Sequence, residues 1–519
     1  MINNLSSSTF DSHIQYDVCI IGTGPAGISI AKNFLSTDYR VIMLESGGMT
    51  PEAKYQELNK GENSGPNFLD LVSSRLRVFG GNSSIWAGKC VPFKEHEFTK
   101  KEFIPLSGWP ISFNDLKNYY KEASKILGIS FERFYRKTYS KETFHGISYK
   151  EFDRKDSFLS GFAIQTSSYE NRNLGEKFKN KLKQSQNIEV LLQATVTKIN
   201  LKEKGKISTV SVSDLDGNKS TINSKLFVLA CGALENSRLL LSSNSLSKLG
   251  IGNNSNFVGK CFMSHPGINK VAEIFKFRSK GCISKTQFSN DYEYQFESNN
   301  YEIFKNKMLR HGLVISPYEG MSHFSTFYNG KILRETSKLL KHSSLQDMYR
   351  KRVCRLSGQY DYDVIDLGVA IEQPPLKENY ITILEKKDAL GLPIINVHWA
   401  SLSEIERRTV FKSIEILAKE LGATGVGRVK ITKELIEGGS FKFNDPVNHH
   451  IGTTRMSNSS ETGVVDKNCK VFGVSNLFIA GSSVFPTSSV VNPTFTIIAL
   501  SIRLSDFLMA TLRKNNKKL

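Results

Sequence analysis

Two adjacent histidines, His449 and His450, stand just before a Gly-Thr turn late in the sequence, in the stretch HHIGTTRM. A neutral imidazole, with an ordinary pKa of about 6.5, is suited to taking up a proton near neutral pH. A single histidine without further pattern is more often a buried residue with satisfied hydrogen bonds. The residues alone therefore indicate candidate general bases and leave the packing alternative open.

Three glycines near the start of the chain have the spacing G-x-G-x-x-G: Gly22, Gly24 and Gly27. An apolar run precedes them and a helical pattern follows. In that context the first glycine permits a tight turn, the second lets the backbone approach a pyrophosphate, and the third lets the helix pack on the strand. A second predicted strand, RVIMLE, ends in Glu45, whose carboxylate can accept hydrogen bonds from a ribose. The pattern predicts a dinucleotide site; a glycine turn used only for packing is the alternative.

The acid at position 45 disfavours NADP, whose extra phosphate prefers Arg, but it does not separate NAD from FAD. Other segments extend the pattern. RVFGGNSSIWAG (77–88) is a second glycine-rich cluster that can bring backbone amides close to a large planar ligand. KLFVLACGALENSRLLLSS (225–243) and the stretch 475–508 each predict a strand, a glycine turn and a helix. Pieces of one nucleotide-binding domain are thus spread along the whole chain.

The composition is that of a soluble globular protein: 519 residues, 39% hydrophobic and 23% charged, enough for two joined domains. Seven scattered cysteines without a C-x-x-C pair indicate neither a disulfide framework nor a zinc site, so a cytoplasmic location is expected. The first residues lack the basic start and apolar stretch of a secretory signal. No uninterrupted apolar run approaches the roughly 18 residues of a membrane span. Metal and acyl-enzyme chemistry are not supported, because metal-ligand spacing and a G-x-S-x-G motif are missing.

The formal charge is +19, and eight basic residues stand against two acids between Lys331 and Arg355. Lys331, Arg334, Lys338 and Lys341 recur at helical spacing opposite leucines, which predicts a basic amphipathic helix that touches anionic lipid or an anionic ligand. A solvated surface helix is the alternative. Nucleic-acid binding is disfavoured, because no recognised motif and no basic stripe with interleaved aromatics is found.

Several motifs taken together resemble the glucose-methanol-choline (GMC) oxidoreductases, flavoproteins that oxidise alcohols or sugars. The resemblance is strongest to the sugar-oxidising branch of pyranose oxidase and fructose dehydrogenase. It is carried, in order, by IIGTGPAGISIA, GGNSSIWAG, SGWPIS, VLACGALENSRLLL, NFVGKCFMSHP, EQPPLKENYITIL, HHIGTTRM and GSSVFPTSSVVNPTFTIIAL. Residues 275–355 match poorly, and substrate choice is usually set there in such enzymes.

The resemblance implies an α/β fold: a discontinuous Rossmann-like FAD-binding domain with an inserted α+β substrate-binding domain built on an antiparallel sheet. We expect residues 14–92, 191–269 and 441–510 in the first domain, 93–190 and 270–440 in the second, and a basic tail at 511–519 whose residues 513–519 form a frayed end.

The resemblance also implies the residues that hold FAD. Glycines of the first motif would cradle the pyrophosphate, Glu45 would bind the adenosine ribose, Val196 would contact adenine through its backbone, and the second cluster would line the flavin. The implied set is Gly22, Gly24, Pro25, Ala26, Gly27, Glu45, Ser46, Gly80, Gly81, Asn82, Ser83, Ser84, Val196, Gly232, Gly481, Ser482, Pro493 and Thr494. In some relatives a histidine before the tryptophan of the second cluster is bonded to the flavin. Ile85 stands there in this chain, so non-covalent FAD is expected.

In the family pattern the catalytic histidine lies three residues before the glycine of H-x-x-G-T, which selects His449. His450 is expected to support the site from behind or to pack beside it, and a direct role in catalysis is the alternative. The family places His or Asn at the position of Asn492. Asn492 would bind the reacting oxygen, although Asn before Pro is also a preferred start of a helix, with Asn as N-cap and Pro493 as the first helical residue. His265, in FMSHPG, is expected to shape a loop near the FAD.

These expectations combine into an FAD-dependent oxidoreductase that converts a CH–OH group of a sugar or sugar-like polyol to a carbonyl, with His449 as base. The basic excess suggests an anionic substrate. Oxidation of a non-sugar alcohol is one alternative; a non-catalytic nucleic-acid or membrane-surface binding protein is another. The electron acceptor, whether oxygen, a quinone or a redox partner, and the oligomeric state are left open.

Overall fold

The computed structural model describes residues 1–7, 14–135, 143–144, 147–148, 154–202, 205–277, 292–317, 362–436 and 447–516. The strands are β1 (Ile2–Asn4), β2 (Gln15–Ile21), β3 (Val41–Leu44), β4 (Gly61–Asn63), β5 (Lys89–Cys90), β6 (Thr143–Phe144), β7 (Ile147–Ser148), β8 (Leu159–Thr166), β9 (Ile188–Leu192), β10 (Thr195–Lys202), β11 (Lys206–Ser213), β12 (Lys219–Leu229), β13 (Met263–His265), β14 (Gly267–Phe277), β15 (Tyr292–Ser298), β16 (His311–Pro317), β17 (Tyr362–Ile371), β18 (Tyr380–Lys387), β19 (Pro393–His398), β20 (Gly427–Ile431), β21 (Val447–Ile451) and β22 (Leu477–Ile479).

The α-helices are α1 (Pro25–Phe34), α2 (Ala53–Gln56), α3 (Glu95–Phe98), α4 (Phe113–Leu127), α5 (Tyr169–Arg172), α6 (Leu174–Gln184), α7 (Gly232–Ser242), α8 (Asn300–Lys305), α9 (Glu404–Thr424), α10 (Lys433–Ile436) and α11 (Thr494–Asn516). Short 3₁₀ turns lie at Leu5–Ser7, Glu57–Asn59, Gly81–Ser84, Glu132–Tyr135 and Ser482–Val484.

A largely parallel sheet of eight strands carries the glycine motifs. Its order is β1-β9-β3-β2-β12-β11-β10, with β22 also beside β12. All pairs from β1 to β12, and the pair β12–β22, are parallel, while β10 and β11 are antiparallel. The last four residues of β2 and all of β3 are buried, as expected of strands covered on both faces. With α1 directly after β2, this sheet confirms the predicted α/β, Rossmann-like class.

A second, antiparallel sheet of seven strands has the order β20-β14-β17-β16-β15-β8-β5. Its buried face packs against α9 and forms a separate hydrophobic core that includes Leu313, Leu367 and Leu417. The predicted strand DVIDLGVAIEQ is β17 of this sheet, whereas NYITILE is β18 of a three-stranded sheet with β19 and β4. An antiparallel sheet with packed helices agrees with the expected second unit of the fold.

The sheets cross two of the expected domain boundaries. Strand β9 belongs to the parallel sheet and spans the boundary expected at residue 190. Strand β5 lies inside the range 14–92 but pairs with β8 of the antiparallel sheet. The residue-level division into domains stays a prediction.

The C-terminal helix α11 extends into the expected tail. It continues through residue 516, and Leu512 is fully buried, so most of the expected tail 511–519 is helix. Between Thr494 and Asn515 it is also long and apolar enough to cross a membrane, with a mean hydropathy of 1.6. Ser and Thr residues and the charged Arg503 and Asp506 interrupt this stretch, so it is not an uninterrupted apolar run. Within the protein, 61% of the apolar window is buried, and α11 packs against α1 and α4.

The basic segment between Lys331 and Arg355 lies outside the described residues. Its predicted amphipathic helix, with Lys331, Arg334, Lys338 and Lys341 on one face, stays a prediction.

Candidate active site

A cavity of about 610 Å³ lies at the carboxyl ends of the parallel strands, lined by glycine and polar residues of the loops that follow β2, β3, β12 and β22. Ligands of open α/β sheets bind at this edge. The volume is in the range of small-molecule and cofactor sites, roughly 300–1,000 Å³. The residues of the predicted cofactor set that line the cavity are Gly22, Gly24, Pro25, Ala26, Glu45, Ser46, Gly81, Asn82, Val196, Gly232, Gly481, Ser482, Pro493 and Thr494. Both His449 and Asn492 line the same cavity.

Four predicted contact residues do not line the cavity. Gly27 packs against the carbonyl of Gly22, and Gly80 packs against Gly175. The hydroxyl of Ser83 donates to the carbonyl of Gly80 (2.6 Å), and that of Ser84 donates to the carbonyl of Gly81 (3.0 Å). These four residues therefore shape the turns behind the cavity wall, because their polar groups are used within the chain.

The glycines that face the cavity leave space for a ligand. A Cβ placed on Gly24, Gly232 or Gly481 would meet no atom within 4 Å. Gly22 differs, since its Cβ would lie 2.5 Å from the carbonyl oxygen of Ala230, and its φ of +105° is the left-handed region that glycine tolerates. Gly22 therefore makes the turn, while the other three open a cradle.

Two helices point their N-termini at this cradle. Helix α1 begins after Gly24 with Pro25 as its first residue, and α7 begins at Gly232. Neither helix has a side chain hydrogen-bonded as its N-cap. Their first N–H groups and positive dipole ends are thus available to an anion, which fits the pyrophosphate of a dinucleotide.

Glu45 directly follows β3, lines the cavity and is held by Thr23 and Gly47. Its carboxylate accepts hydrogen bonds from the N–H and hydroxyl of Thr23 (3.1 and 2.5 Å) and from the N–H of Gly47 (3.0 Å). Burial raises the pKa of Glu45, and these hydrogen bonds oppose the rise. The hydroxyl of Thr23 also accepts from the N–H of Gly80 (3.3 Å), so one side chain joins the two glycine clusters. The sequence reasoning missed Thr23, which is the variable residue between two motif glycines.

The two catalytic candidates, His449 and Asn492, contact each other in the wall of the cavity. The amide nitrogen of Asn492 lies 3.3 Å from Nε2 of His449. On the other side of the ring, Nδ1 of His449 lies 2.8 Å from Nδ1 of His265. Burial lowers the pKa of His449 well below its usual value, and the neighbouring His265 and His450 lower it further. His449 is therefore a neutral imidazole at neutral pH, able to accept a proton.

The backbone around the histidines is held by two neighbouring segments. Strand β21 pairs with β13 in a short antiparallel ladder, which brings His265 beside it. The hydroxyl of Ser482 donates to the carbonyl of His450 (2.6 Å), and the N–H of Gly452 donates to the carbonyl of Ser482 (3.1 Å). The turn after β21 is thus tied to the loop that carries the predicted cofactor contact Ser482.

Asn492 does not cap α11. The helix begins at Thr494, and the carbonyl of Pro493 accepts the hydrogen bond from the N–H of Ile497, so Pro493 holds the N-cap position. The expectation of Asn as N-cap and Pro as first helical residue was wrong by one position. The side chain of Asn492 contacts His449 instead.

His450 faces the cavity and also packs against a neighbouring ring. It lines the cavity, its ring contacts Phe262, and its Nε2 is buried without a hydrogen-bond partner among the residues described. Burial, together with the positive charge of Arg75, lowers the pKa of His450 to about 3. This nitrogen is an open polar group for a bound cofactor.

A buried ionic cluster lines another part of the cavity and was not predicted. The carboxylate of Glu235, on α7, pairs with Arg75 (2.7 Å), Arg77 (2.9 Å) and Arg238 (3.3 Å). Burial alone would raise the pKa of Glu235, but the three guanidinium groups hold it well below its usual range. The cluster joins the second glycine segment to α7, and a Glu and Arg three residues apart in ALENSR were its only sequence signal.

The parallel sheet and this cavity define an α/β protein of the Rossmann-like, nucleotide-binding class. Models of the GMC oxidoreductase family match residues 43–267 and 375–501, and the chain belongs to this family of flavoproteins. It is accordingly an enzyme that acts on CH–OH donors with FAD as cofactor, and the alternative of a non-catalytic binding protein is set aside. The glycine cradle, the free helix N-termini and the open Nε2 of His450 fit FAD.

Characterised relatives act on both alcohols and sugars. The chain is 23% identical to 2-methyl-1,2-propanediol dehydrogenase of Mycolicibacterium austroafricanum over 95% of both chains. It is 25% identical to the fructose dehydrogenase large subunit of Gluconobacter japonicus, over 63% of this chain and 54% of that one. Among solved structures, pyridoxine 4-oxidase from Mesorbium loti has a TM-score of 0.56 at 14% identity and covers 96% of this chain and 99% of its own. Pyridoxine 4-oxidase thus shares the fold of this chain.

Proposed function

We propose that this enzyme oxidises a CH–OH group of a sugar or sugar-like polyol to a carbonyl, with His449 as the base. The observation that carries the proposal is the pairing of His449 with Asn492 in the cavity that also contains the glycine cradle. A substrate hydroxyl that lies in the cavity against both Nε2 of His449 and the amide of Asn492 would meet a proton acceptor and a hydrogen-bond donor at once.

His449, Asn492 and the start of α11 have different roles in the proposed oxidation. Nε2 of His449 takes the hydroxyl proton, so that the O–H bond breaks and an N–H bond forms. The amide N–H of Asn492 donates to the substrate oxygen, where negative charge develops. FAD, when bound, accepts the hydrogen on carbon as a hydride. The start of α11 at Thr494 lines the cavity, and its positive end favours negative charge nearby.

The substrate class rests on resemblance and on charge. The likeness to the fructose dehydrogenase large subunit favours a sugar, and the formal charge of +19 favours an anionic derivative. The likeness to 2-methyl-1,2-propanediol dehydrogenase supports a non-sugar alcohol as the second candidate. Equal turnover of neutral and charged sugars would remove the anionic refinement.

We also propose that FAD is held without a covalent bond. Ile85 stands before Trp86 and lines the cavity, and a hydrocarbon side chain offers no nucleophile to the flavin. Acid precipitation should leave the yellow flavin in the supernatant; flavin retained in the protein pellet would refute this.

The cellular setting is proposed from side-chain chemistry. The five described cysteines, at positions 19, 90, 231, 261 and 469, are free thiols, which suits the cytoplasm. Peripheral contact with anionic lipid is proposed for residues 331–355. Cell fractionation and vesicle sedimentation test these two proposals. Oxygen, a quinone or a redox partner would reoxidise the flavin.

Anaerobic reduction of the bound flavin tests the function. The visible spectrum is recorded before and after addition of sugars, sugar phosphates, nucleotide sugars and simple alcohols. Bleaching by one class identifies the substrate, and admission of air then tests oxygen as acceptor. In His449→Gln the flavin should stay bound while bleaching slows by about 100- to 10,000-fold. His398→Gln, which alters a histidine outside the cavity lining, is the matched control. Bleaching at the wild-type rate in His449→Gln would refute the role of the base.

A further inference from the structure

His265 is the buried partner of His449, although its sequence motif indicated only a loop. It ends β13, is 3% exposed, and meets the ring of His449 edge-on with 4.9 Å between ring centroids. Its two nitrogens contact different groups: Nδ1 lies 2.8 Å from Nδ1 of His449, and Nε2 lies 3.2 Å from the carbonyl oxygen of Ser488.

These contacts determine which nitrogens carry protons. A carbonyl oxygen can only accept, so Nε2 of His265 carries a hydrogen. In a neutral ring the other nitrogen, Nδ1, is then a bare acceptor, and Nδ1 of His449 must be the donor in the bond between the rings. Consequently Nε2 of His449 is bare, which agrees with the amide N–H of Asn492 pointing at it.

We infer that His265 is the positioning residue of the catalytic base: it accepts the hydrogen bond from Nδ1 of His449, fixes the ring's tautomer and orientation, and leaves Nε2 facing the substrate. The inference rests on the proposed function. After Nε2 takes the hydroxyl proton, the bond from Nδ1–H to His265 persists and stabilises the imidazolium. A buried acid orients the histidine in Ser-His-Asp triads, and here an imidazole has that part.

The loop segment that carries the carbonyl of Ser488 is held by hydrogen bonds of the side chains of Ser488 and Ser489. Gln373, which follows β17, donates its N–H to the hydroxyl of Ser488 (3.1 Å) and accepts from the N–H of Ser264 (2.9 Å). The hydroxyl of the next residue, Ser489, donates to Glu97, which pairs with Arg310 at 3.0 Å. These groups are buried, so the position of His265 is locked on both sides by polar contacts.

The direct test is nitrogen NMR of the FAD-loaded protein with ¹⁵N-labelled histidine, because protonated and bare ring nitrogens have well-separated shifts. Comparison with His449→Gln and His265→Asn assigns the two rings among the ten histidines. Nδ1–H with bare Nε2 in His449 is expected at pH 7.5. The opposite tautomer in the unaltered protein would overturn the inference, whatever the variants do.

Two substitutions then test the consequence for catalysis. His265→Leu removes the acceptor, and kcat should fall on the order of 10- to 1,000-fold, below the loss of about 10,000-fold seen when a triad carboxylate is altered, while KM changes little. His265→Asn places an amide oxygen near the position of Nδ1 and should recover part of kcat. Wild-type kcat and an unchanged His449 tautomer in the Leu variant would refute the role of His265. A wild-type rate of flavin bleaching in His449→Gln would instead refute the proposed role of His449 as the base, on which this inference rests.

Discussion

The amide nitrogen of Asn492 lies 3.3 Å from Nε2 of His449, although 43 residues separate them in the sequence. Asn492 precedes the N-cap of α11, so its side chain does not cap the helix. It contacts His449, the proposed base. This relationship separates two roles that the sequence could not distinguish.

Replacing Asn492 by Asp should therefore reduce activity and leave the fold intact. Asp retains the shape but has no N–H to donate, and its negative charge beside His449 favours the protonated, inactive ring. We expect kcat to fall by about 100-fold or more, with Tm and flavin content close to wild type. Steady-state kinetics and thermal unfolding check this; unchanged turnover would mean that Asn492 takes no part in the reaction.

The glycine motif offers a matched pair of substitutions. In Gly24→Ala the new methyl group points into open cavity space, so the apoprotein should keep its Tm while FAD affinity falls by about 10- to 100-fold. In Gly27→Ala the methyl group collides with the carbonyl of Gly22, so the apoprotein should lose about 1–3 kcal/mol of stability. Calorimetric FAD titration and urea unfolding measure the two effects. An exchange of the two phenotypes would show that the cradle is misassigned.

Sequence reasoning succeeded where the signal is local. The strand, glycine turn and helix around Gly24 follow from periodicity and from backbone freedom, and the acid at Glu45 lies at the end of the next strand. A short pattern with a fixed spacing pointed to His449, which lines the cavity, while its role as the base stays a prediction. Each of these features depends on a few neighbouring residues, so one sequence suffices to find it.

Features that depend on tertiary contact were missed. His265 and His449 are 184 residues apart and meet only because β13 pairs with β21. Ser83 and Ser84 were expected to contact the flavin, but both lie in a 3₁₀ turn and their hydroxyl groups bond to backbone carbonyls of that turn and its N-cap. Residue types alone do not specify which way the side chains of such a turn point. The helix start near Asn492 was misplaced by one residue, since propensity does not fix a helix boundary that closely.

The Glu235 cluster provides a prediction about stability. Glu235→Gln removes the charge that three largely buried guanidinium groups share, so unfolding free energy should fall by about 3–5 kcal/mol. Glu415→Gln is the control, because Glu415 pairs with two lysines on an exposed helix face and should contribute less than about 1 kcal/mol. Urea unfolding of both variants measures the difference. Equal stability of the two variants would contradict the proposed importance of the buried cluster.

The buried histidines predict how stability depends on pH. Burial lowers the pKa of His265 and His311 to about 4 and of His96 and His450 to about 3, and it lowers that of His449 as well. Between about pH 6.5 and 4 the unfolded chain therefore binds more protons than the native protein, so this contribution to stability is lost as the pH falls. Each histidine contributes up to about 1.4 kcal/mol per pH unit in that range.

The raised pKa values of Glu45 and Glu406 act in the opposite direction and reduce the dependence of stability on pH. The unfolding free energy of the apoprotein, measured with urea from pH 7.5 to 5, should fall once the pH drops below about 6.5. The slope of this free energy against pH gives the number of protons taken up on unfolding, and in His450→Leu that number should be smaller by up to one. A stability that is flat or rising toward pH 5 would show that these histidines are not held neutral in the folded protein.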